Sequence, residues 1–473
     1  MSFSVFNSMT RSVEPFVPLE PGVVRMYNCG PTVYNRPHVG NYRAFLFADT
    51  LRRWLEYLGL RVEQVMNITD VGHLTDDADE GEDKLEKQAR REKLDPWQIS
   101  RKVTEQFFAD LAALGVRQAK AYPKASEHIP EMLEIIEGLL AKGHAYAVGG
   151  NVYFDVKSFP RYGRLSGNRV EELEAGARIA VREDKRNPED FALWKSDPAH
   201  LMKWATRFGP DGFPGWHIEC SAMSRKHLGE RLDIHTGGED NIFPHHECEI
   251  AQSESFTGRP FASYWMHSKF LQVDGGKMSK SLGNTYTLDD VAAKGFNARQ
   301  LRFALIRGHY RAPLNFTWDI LKESAAALEN LDDLVVRLRR VAKGQEGAGQ
   351  PQAGLELVQA ARKTFEDGMN DDLNVSRALP GLMALRAAAL EGRLGSAAAL
   401  DALEFVRRAN EVLGVIQVDE ELLPAAIEAL IAARQAARKA KDFKESDRIR
   451  DELLAKGIVL EDTPKGVVWR RKA

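Results

Sequence analysis

The chain is poor in cysteine, in net charge and in long apolar segments. Its 473 residues include three cysteines, none in a Cys-x-x-Cys pair, so neither a disulfide framework nor a metal site recognisable by spacing is indicated. A net charge of -3 excludes a generally basic nucleic-acid-binding protein and confines any RNA-binding surface to part of the chain. Because a signal-like beginning and a membrane-length apolar run are missing, we expect a cytoplasmic protein without a membrane partner.

One segment has the composition of a phosphate-binding helix start. Residues 23–27 are rich in valine and end in tyrosine, which predicts a buried first strand. After a loop, apolar residues recur at helical spacing, and this pattern places His38, Gly40 and Asn41 near a helix N-terminus. Backbone N–H groups and the positive end of the helix dipole stabilise anions there. Gly40 would let a nucleotide approach the backbone closely.

A second segment, residues 277–281, lies between glycines and carries two lysines. Lys277 and Lys280 could close over a triphosphate, where their ammonium groups would stabilise the charge on a leaving pyrophosphate. A Lys/Ser loop of this kind, taken alone, is usually a solvated surface turn. The occurrence of both segments in this order favours a single ATP site.

Together the two segments resemble the HIGH and KMSKS signatures of class I aminoacyl-tRNA synthetases. Asn41 stands where that family has a histidine, although an amide can still donate a hydrogen bond to phosphate. Other segments are similar to cysteinyl-tRNA synthetases and extend the resemblance over nearly the whole chain. They are residues 27–34, 67–70, 215–223, 243–247, 265–267, 460–464 and 469–470.

This resemblance implies a fold and a domain order. We expect an α/β protein with a Rossmann-like class I synthetase catalytic domain over residues 1–318, and within it an inserted connecting region over about 122–188. An α-helical bundle that binds tRNA would follow over 319–413, and a small C-terminal anticodon-binding domain over 414–473. Several domains agree with the length, since single cores stop growing near roughly 250–300 residues.

Two cysteines and a His-Glu pair are candidate metal ligands. By spacing alone, Cys29 and Cys220 are more readily explained as buried structural thiols. His245 and Glu249 would share one face of a helix that begins at about Ile242. The resemblance implies that these four residues bind one Zn²⁺. It also implies that zinc selects the cysteine substrate, because a thiolate is a better ligand for this metal than a serine hydroxyl.

A further set of residues is implied to bind ATP with its Mg²⁺ and to assist adenylation. The catalytic residues of this set are His38, Asn41, Lys277 and Lys280. The other nucleotide contacts are Gly40, Gly237, Gly238 and Asp240. Asp240 could instead cap the following helix.

The amino acid L-cysteine has its own implied contacts, which are Cys29, Gly30, Thr69 and Trp216. For Trp216, packing in the core beside Gly215 is an equally good explanation from the sequence alone. In the implied reaction the cysteine carboxylate attacks the α-phosphate of ATP and releases pyrophosphate. The 2′-hydroxyl of the terminal adenosine of tRNA-Cys then takes the cysteinyl group and releases AMP.

Two features fall outside the resemblance. At helical spacing Cys248 points away from the face that carries His245, so we expect a packed thiol. Residues 71–84 are more acidic than the family pattern suggests. Because their spacing does not match an EF-hand, a hydrated surface excursion leading into a helix is favoured over a divalent-ion loop.

Two other functions remain open at this point. A cysteine ligase that transfers cysteine to an amino sugar, as in mycothiol synthesis, would use the same adenylate but would leave the last third of the chain without a task. A synthetase-derived RNA-binding protein without catalysis would tolerate the loss of His38, Lys277 and Lys280, all of which are present. We therefore expect a monomeric enzyme whose partners are L-cysteine, ATP and tRNA-Cys.

Overall fold

The computed structural model describes residues 2–73, 83–168, 184–278, 283–347, 349–418, 425–463 and 466–471. The chain forms two compact units. The sheet unit comprises Ser2–Ala298 and Tyr310–Phe316, and the helical unit comprises Arg299–His309 and Thr317–Ala473. Among the described helices, none has both the length and the apolar composition needed to cross a bilayer.

The sheet unit contains both strands and helices. Its strands, in chain order, are β1 (Ser4–Asn7), β2 (Ser12–Pro15), β3 (Val23–Asn28), β4 (Arg61–Met66), β5 (Ala145–Val148), β6 (Asn151–Phe154), β7 (Phe191–Ser196), β8 (Trp204–Thr206), β9 (Gly209–Pro214), β10 (Leu232–Gly238), β11 (Ala262–Ser268), β12 (Leu271–Val273), β13 (Gly276–Lys277) and β14 (Leu314–Phe316). Its α-helices are α1 (Val39–Tyr57), α2 (Lys84–Glu92), α3 (Pro96–Ala113), α4 (Ile129–Ala141), α5 (Trp216–Leu228), α6 (Glu247–Thr257) and α7 (Leu288–Ala293).

Four parallel strands form the central sheet, in the order β11, β10, β3, β4. β10 is buried along almost its whole length, as expected for a parallel strand covered on both faces. Helix α1 connects β3 to β4, and α6 connects β10 to β11. The carboxyl ends of parallel strands meet at one edge of a sheet. Cys29, Asn67 and Gly238, which end or directly follow three of these strands, therefore lie at the same edge.

The strand predicted over residues 23–27 is β3, but the prediction that it is the first strand of the chain is wrong. An antiparallel hairpin of β1 and β2 precedes it. Each of these strands has only four residues, too few to give a clear alternating pattern. The hairpin is fixed to the central sheet because the Asn7 side chain donates a hydrogen bond to the Ser263 carbonyl at 3.0 Å.

Helix α1 begins where the sequence predicts. His38 is its N-cap residue, and the Asn41 amide oxygen accepts a hydrogen bond from the His38 backbone N–H at 3.1 Å. This contact closes the first turn in the manner of a capping box. Further along the helix, Leu46, Leu51 and Trp54 are fully buried.

An inserted region between β4 and β10 contains a second sheet. Its five strands are antiparallel, in the order β5, β6, β7, β9, β8. The sheet continues through β9 to Pro214, past the predicted end of the insertion at residue 188. The register shifts between β6 and β7 and between β8 and β9. Such shifts interrupt the alternation by which short strands are recognised.

The helix predicted from about Ile242 does not begin there. Ile242–His246 form a wide turn in which Phe243 has an extended backbone, and the regular helix α6 begins at Glu247. Pro244 within the turn lacks the N–H that a helical hydrogen bond would need. His245 and Glu249 nevertheless face each other as predicted, with 2.9 Å between His245 Nε2 and Glu249 Oε1.

The helical unit is dominated by long helices. Its elements are α8 (Ala298–Ile306), α9 (Trp318–Ala342), α10 (Pro351–Asn370), α11 (Val375–Leu390), α12 (Ser396–Leu413), α13 (Ala425–Lys439), α14 (Phe443–Ala455), β15 (Ile458–Thr463) and β16 (Gly466–Arg471). One face of α9 is apolar and fully buried, and it comprises Leu328, Leu331, Leu334 and Leu338. α9 packs against α11 and α12, and α13 packs against α14.

The buried face of α9 yields a prediction about stability. Leu331→Ala should lower the free energy of unfolding by about 2–5 kcal/mol, because it removes a fully buried side chain and leaves a cavity. The matched control is Leu400→Ala on α12 of the same unit, where the side chain is 60% exposed and the loss should stay below about 0.5 kcal/mol. Urea unfolding followed by circular dichroism measures both, and equal losses would contradict the packing described for α9.

Candidate active site

Four potential metal ligands from three parts of the chain meet at the carboxyl edge of the central sheet. Cys29 directly follows β3, Cys220 lies in α5, His245 lies in the turn before α6, and Glu249 lies in α6. Their ligand atoms are all within 4.8 Å of one another. Cys29 is partly exposed and the other three are buried. The residues that the resemblance assigned to one metal site are thus brought together.

Glu249 is the centre of this cluster, because each of its oxygens faces a different histidine. Oε1 lies 2.9 Å from His245 Nε2, and Oε2 lies 2.8 Å from His235 Nε2. Burial would raise the pKa of Glu249, but the two histidines outweigh it and lower the pKa to about 2. The carboxylate therefore stays ionised at neutral pH although it is fully buried.

The donor atoms fit a zinc ion. Two sulfurs, one imidazole nitrogen and one carboxylate oxygen are all donor types that zinc takes, and at usual ligand distances they would lie about 3.5 Å apart in a tetrahedral site. Cys220 Sγ is 3.5 Å from His245 Nε2. The hydrogen bond with Cys29, and then burial, raise the pKa of Cys220 well above its usual value. A metal that binds here must therefore displace a thiol proton.

A second set of donors overlaps the first and has no counterpart in the sequence prediction. It combines Cys29 and Glu249 with His235 and His246. His246 Nε2 lies 3.1 Å from Cys29 Sγ. The two sets share a thiol and a carboxylate, so a cation has two possible positions in this region of the described structure. Only substitution of unshared ligands can distinguish them.

Buried histidines surround the cluster and support its ligands. His217 Nδ1 is 3.0 Å from His245 Nδ1, and His246 Nδ1 is 2.8 Å from His267 Nε2. Burial, and after it the neighbouring His235, lowers the pKa of His246 well below its usual value and that of His267 to about 3. These two rings are therefore neutral, and each can donate with one nitrogen and accept with the other.

Among the histidines of this region, sequence reasoning gave a role to His245 alone. The available signal was their density, since five of the 12 histidines in the chain fall in the short stretch from β10 to β11 or in the first turn of α5. They are His217, His235, His245, His246 and His267. Only the pairing of β10 with β3 and β11 shows that they converge.

The residues predicted to bind the amino acid lie around the cluster. The Trp216 ring stacks on the His245 ring at a centroid distance of 4.4 Å and is only partly buried, which argues against a purely core role. Gly30 donates its backbone N–H to Asn67 Oδ1 at 2.8 Å. A Cβ at Gly30 would lie 1.7 Å from the Asn67 carbonyl oxygen, so any larger residue would push the two loops apart.

Thr69 is held by contacts of its side chain and of its backbone. Its hydroxyl donates to Glu219 Oε2 at 2.8 Å and accepts from Asn67 Nδ2 at 3.1 Å. Its N–H donates to the Pro31 carbonyl and its own carbonyl accepts from Val33. Thr69 is therefore fixed beside the loop that carries Cys29.

The two predicted halves of the ATP site approach each other. A Cβ built on Gly40 would lie 3.2 Å from the Met278 methyl group and 3.1 Å from the His38 ring. The Val39 N–H donates to the Tyr286 carbonyl at 2.8 Å, which ties the start of α1 to the chain that follows the lysine loop. Lys277 is exposed at the end of β13, and Lys280 lies outside the described residues.

The glycines at the end of β10 are packed closely by side chains of the residues that follow the strand. A Cβ at Gly237 would lie 2.9 Å from the His246 ring, and one at Gly238 would lie 2.3 Å from Asp240 Oδ1. Asn241, and not Asp240, closes the short turn that follows, since Asn241 Oδ1 accepts the Gly238 N–H at 2.9 Å. The alternative role of Asp240 as a cap is therefore filled by its neighbour.

Cys248 stands apart from both donor sets, as predicted. Its side chain is fully buried, and its sulfur lies 3.3 Å from the Tyr162 hydroxyl. Among the described residues it joins neither group of potential ligands.

The fold and these contacts define a class I tRNA synthetase catalytic domain. A family model described as the tRNA synthetases class I (C) catalytic domain matches residues 15–326, and one described as the cysteinyl-tRNA ligase anticodon binding domain matches residues 420–470. Two solved structures of Mycobacterium tuberculosis methionyl-tRNA synthetase with methionyl-adenylate have TM-scores of 0.62 and 0.61, each covering 83% of this chain and 92% of theirs. Because the sequence identities are only 16% and 14%, this likeness shows a shared fold and nothing about function.

Relatives that match over the full length of the chain show which family within the class I synthetases it resembles. Proteins named cysteine–tRNA ligase from Chlorobaculum tepidum and Symbiobacterium thermophilum are 44% and 46% identical, and each match covers 100% of this chain and 99% or 100% of the relative. The protein of that name from Thermus thermophilus is 44% identical over 99% of both chains. The chain belongs to the cysteinyl-tRNA synthetase family.

Proposed function

We propose that this protein activates L-cysteine with ATP and transfers it to the 3′-terminal adenosine of tRNA-Cys. The observation that carries the proposal is the convergence of Cys29, Cys220, His245 and Glu249 beside the approach of Gly40 and Met278. A site that binds sulfur would then lie next to a site that binds triphosphate. The likeness to proteins named cysteine–tRNA ligase over the whole chain supports the same reaction.

In the first step, the cysteine carboxylate oxygen attacks the α-phosphorus of ATP and the bond to the β-phosphate breaks. The start of α1 offers backbone N–H groups and the positive end of its dipole to the phosphates. His38 and Asn41 would add side-chain donors, and Lys277 and Lys280 would neutralise the pyrophosphate as it leaves. Gly237, Gly238 and Asp240 would contact the nucleoside. Mg²⁺ is expected on the phosphates of ATP.

The choice of cysteine over serine is assigned to the metal cluster. Zinc, when bound, would supply a soft Lewis acid that accepts a thiolate as a further ligand far better than a hydroxyl. An apolar pocket alone separates such near-isosteres by only about 10–200-fold. Cys29, Cys220, His245 and Glu249 would hold the ion, and the stacked Trp216 ring would cover the apolar side of the substrate.

The second step needs tRNA. The 2′-hydroxyl of the terminal adenosine attacks the carbonyl carbon of cysteinyl-AMP, and AMP leaves. The helical bundle of α9 to α12 and the region matched by the anticodon-binding model would bind the rest of the tRNA. If the acceptor were an amino sugar, the helical bundle and the anticodon-binding region would have no substrate to bind. We expect a monomer, because the residues assigned to both steps come from one chain.

The proposal is tested by two assays on the intact protein. Cysteine-dependent exchange of pyrophosphate into ATP measures the first step, and charging of tRNA-Cys with labelled cysteine measures the second. Serine should support neither at equal concentration. Exchange without charging of any tRNA, together with coupling of cysteine to an amino sugar, would reject the proposed acceptor.

Metal analysis yields a second prediction. The purified protein should contain about one zinc per chain, and Cys220→Ser should lower this to less than about a tenth, because a hydroxyl replaces a ligand thiol. Cys248→Ser makes the same chemical change at the buried thiol beside Tyr162 and should leave the zinc content unchanged. Elemental analysis after dialysis measures both.

Substitution of His246 separates the two donor sets. If the set with Cys220 and His245 holds the ion, His246→Ala should retain zinc within about twofold, because His246 contributes no ligand to that set. Full zinc in Cys220→Ser with none in His246→Ala would instead assign the ion to the set that contains His235.

The C-terminal region yields a third prediction, on a chain that ends at Val418. This end keeps the hydrogen bonds of Asn410 with Val415 and Ile416 and removes the residues matched by the anticodon-binding model. Pyrophosphate exchange should persist within several-fold, whereas kcat/KM for charging tRNA-Cys should fall by about 100-fold or more as distal binding energy is lost. Changing the anticodon should then matter little for the shortened protein. Unchanged charging would contradict the role given to this region.

A further inference from the structure

Glu219 is a buried carboxylate next to the metal cluster to which the proposed reaction assigns no role. It precedes Cys220 in α5, and its side chain is fully buried. Both of its oxygens are engaged: Oε2 accepts the Thr69 hydroxyl at 2.8 Å, and Oε1 lies 2.6 Å from His73 Nε2. Glu219 is thus held between the Thr69 hydroxyl and the His73 ring.

This arrangement fixes which way the Thr69 hydroxyl points. A threonine hydroxyl has one proton and two acceptor positions. Its proton goes to Glu219, and one acceptor position is taken by Asn67 Nδ2 at 3.1 Å. The hydroxyl therefore has no proton left for a ligand, and its remaining capacity is to accept one hydrogen bond. A group that binds Thr69 must be a donor.

The backbone contacts of Thr69 indicate that these side-chain bonds are not needed to hold the loop. Its N–H and its carbonyl already bond Pro31 at 3.0 Å and Val33 at 3.1 Å. Burying a carboxylate costs free energy unless its oxygens have partners. The partners of Glu219 are the Thr69 hydroxyl and the His73 imidazole. An ammonium group close to Thr69 would supply the hydrogen-bond donor that the free acceptor position of this hydroxyl can take.

We propose that Glu219 and His73 are positioning residues that orient the Thr69 hydroxyl as an acceptor for the α-ammonium group of the substrate cysteine. In cysteine the nitrogen is only three bonds from the sulfur. The backbone of Thr69 is bonded to Pro31 and Val33, in the loop that begins at Cys29. A substrate sulfur beside the Cys29 thiol therefore brings its ammonium group to the side of the cluster where Thr69 lies. The inference rests on the proposed function, since it assumes that cysteine is the substrate.

The experiment compares cysteine with 3-mercaptopropionate, which has the thiol and the carboxylate but no ammonium group. Isothermal titration calorimetry on the zinc-loaded protein gives the ratio of the two dissociation constants. Glu219→Gln should weaken cysteine binding by about 10-fold or more, the value of one charge-assisted hydrogen bond, and leave the analogue within about twofold. In pyrophosphate exchange the change should appear in KM for cysteine more than in kcat.

Asp233→Asn is the matched control. Asp233 is also a fully buried carboxylate, and it accepts hydrogen bonds from the backbone N–H groups of Leu19 and Arg25. Within the described part of the chain its hydrogen bonds do not involve Thr69 or Glu219. It should leave the ratio of cysteine to analogue binding unchanged. An equal change in both variants would show a general loss of stability and would overturn the proposal.

A second pair of variants decides the matter if Glu219→Gln loses zinc or fails to fold. Thr69→Val removes the hydroxyl at nearly equal volume and should lower the preference for cysteine over the analogue by about 10-fold, whereas Thr69→Ser should keep it. If Thr69→Val keeps its full zinc content and still prefers cysteine to the analogue, Thr69 does not bind the α-ammonium group and the proposal is overturned. A wild-type protein without cysteine-dependent exchange would instead reject the proposed function, so the two failures are distinguishable.

Discussion

The buried charge of Glu249 is the constraint on which the rest of the site depends. A carboxylate without solvent must be compensated by partners in good geometry, and Glu249 has an imidazole at each oxygen. Those partners come from β10 and from the turn before α6. β10 pairs with β3, which Cys29 directly follows, and His245 Nε2 lies 3.5 Å from the Cys220 sulfur in α5. A single compensated charge thus joins a strand, a turn and two helices into one donor cluster.

The topology of the central sheet places two chemistries side by side. β3 ends in the loop of Cys29 and Gly30, and the same connection continues into the start of α1, where phosphate would bind. One crossover unit therefore contributes a sulfur donor and an anion site. β10 adds two glycines at the same edge, against which His246 and Asp240 pack closely. Reactants that bind at neighbouring positions need no large motion to meet.

The elements that have a local sequence pattern could be predicted. The contacts between residues far apart in the chain could not. β3, the start of α1 and the apolar face of α9 have local patterns that their neighbours do not disturb. The predicted helix start near Ile242 is wrong, because Pro244 and the extended backbone of Phe243 prevent a regular helix before Glu247. The roles of His235 and Glu219 depend on partners 14 and 150 residues away along the chain, and no periodicity reports such pairs.

The hydrogen bond that closes the first turn of α1 also explains how asparagine serves at position 41. Its amide oxygen is occupied by the His38 N–H, so the amide nitrogen must direct both of its protons away from the turn. An imidazole at that place would change its number of protons near pH 6.5, and its donor would depend on the tautomer. An amide does not titrate. The donor at this end of the helix therefore stays the same in acidic and in alkaline surroundings.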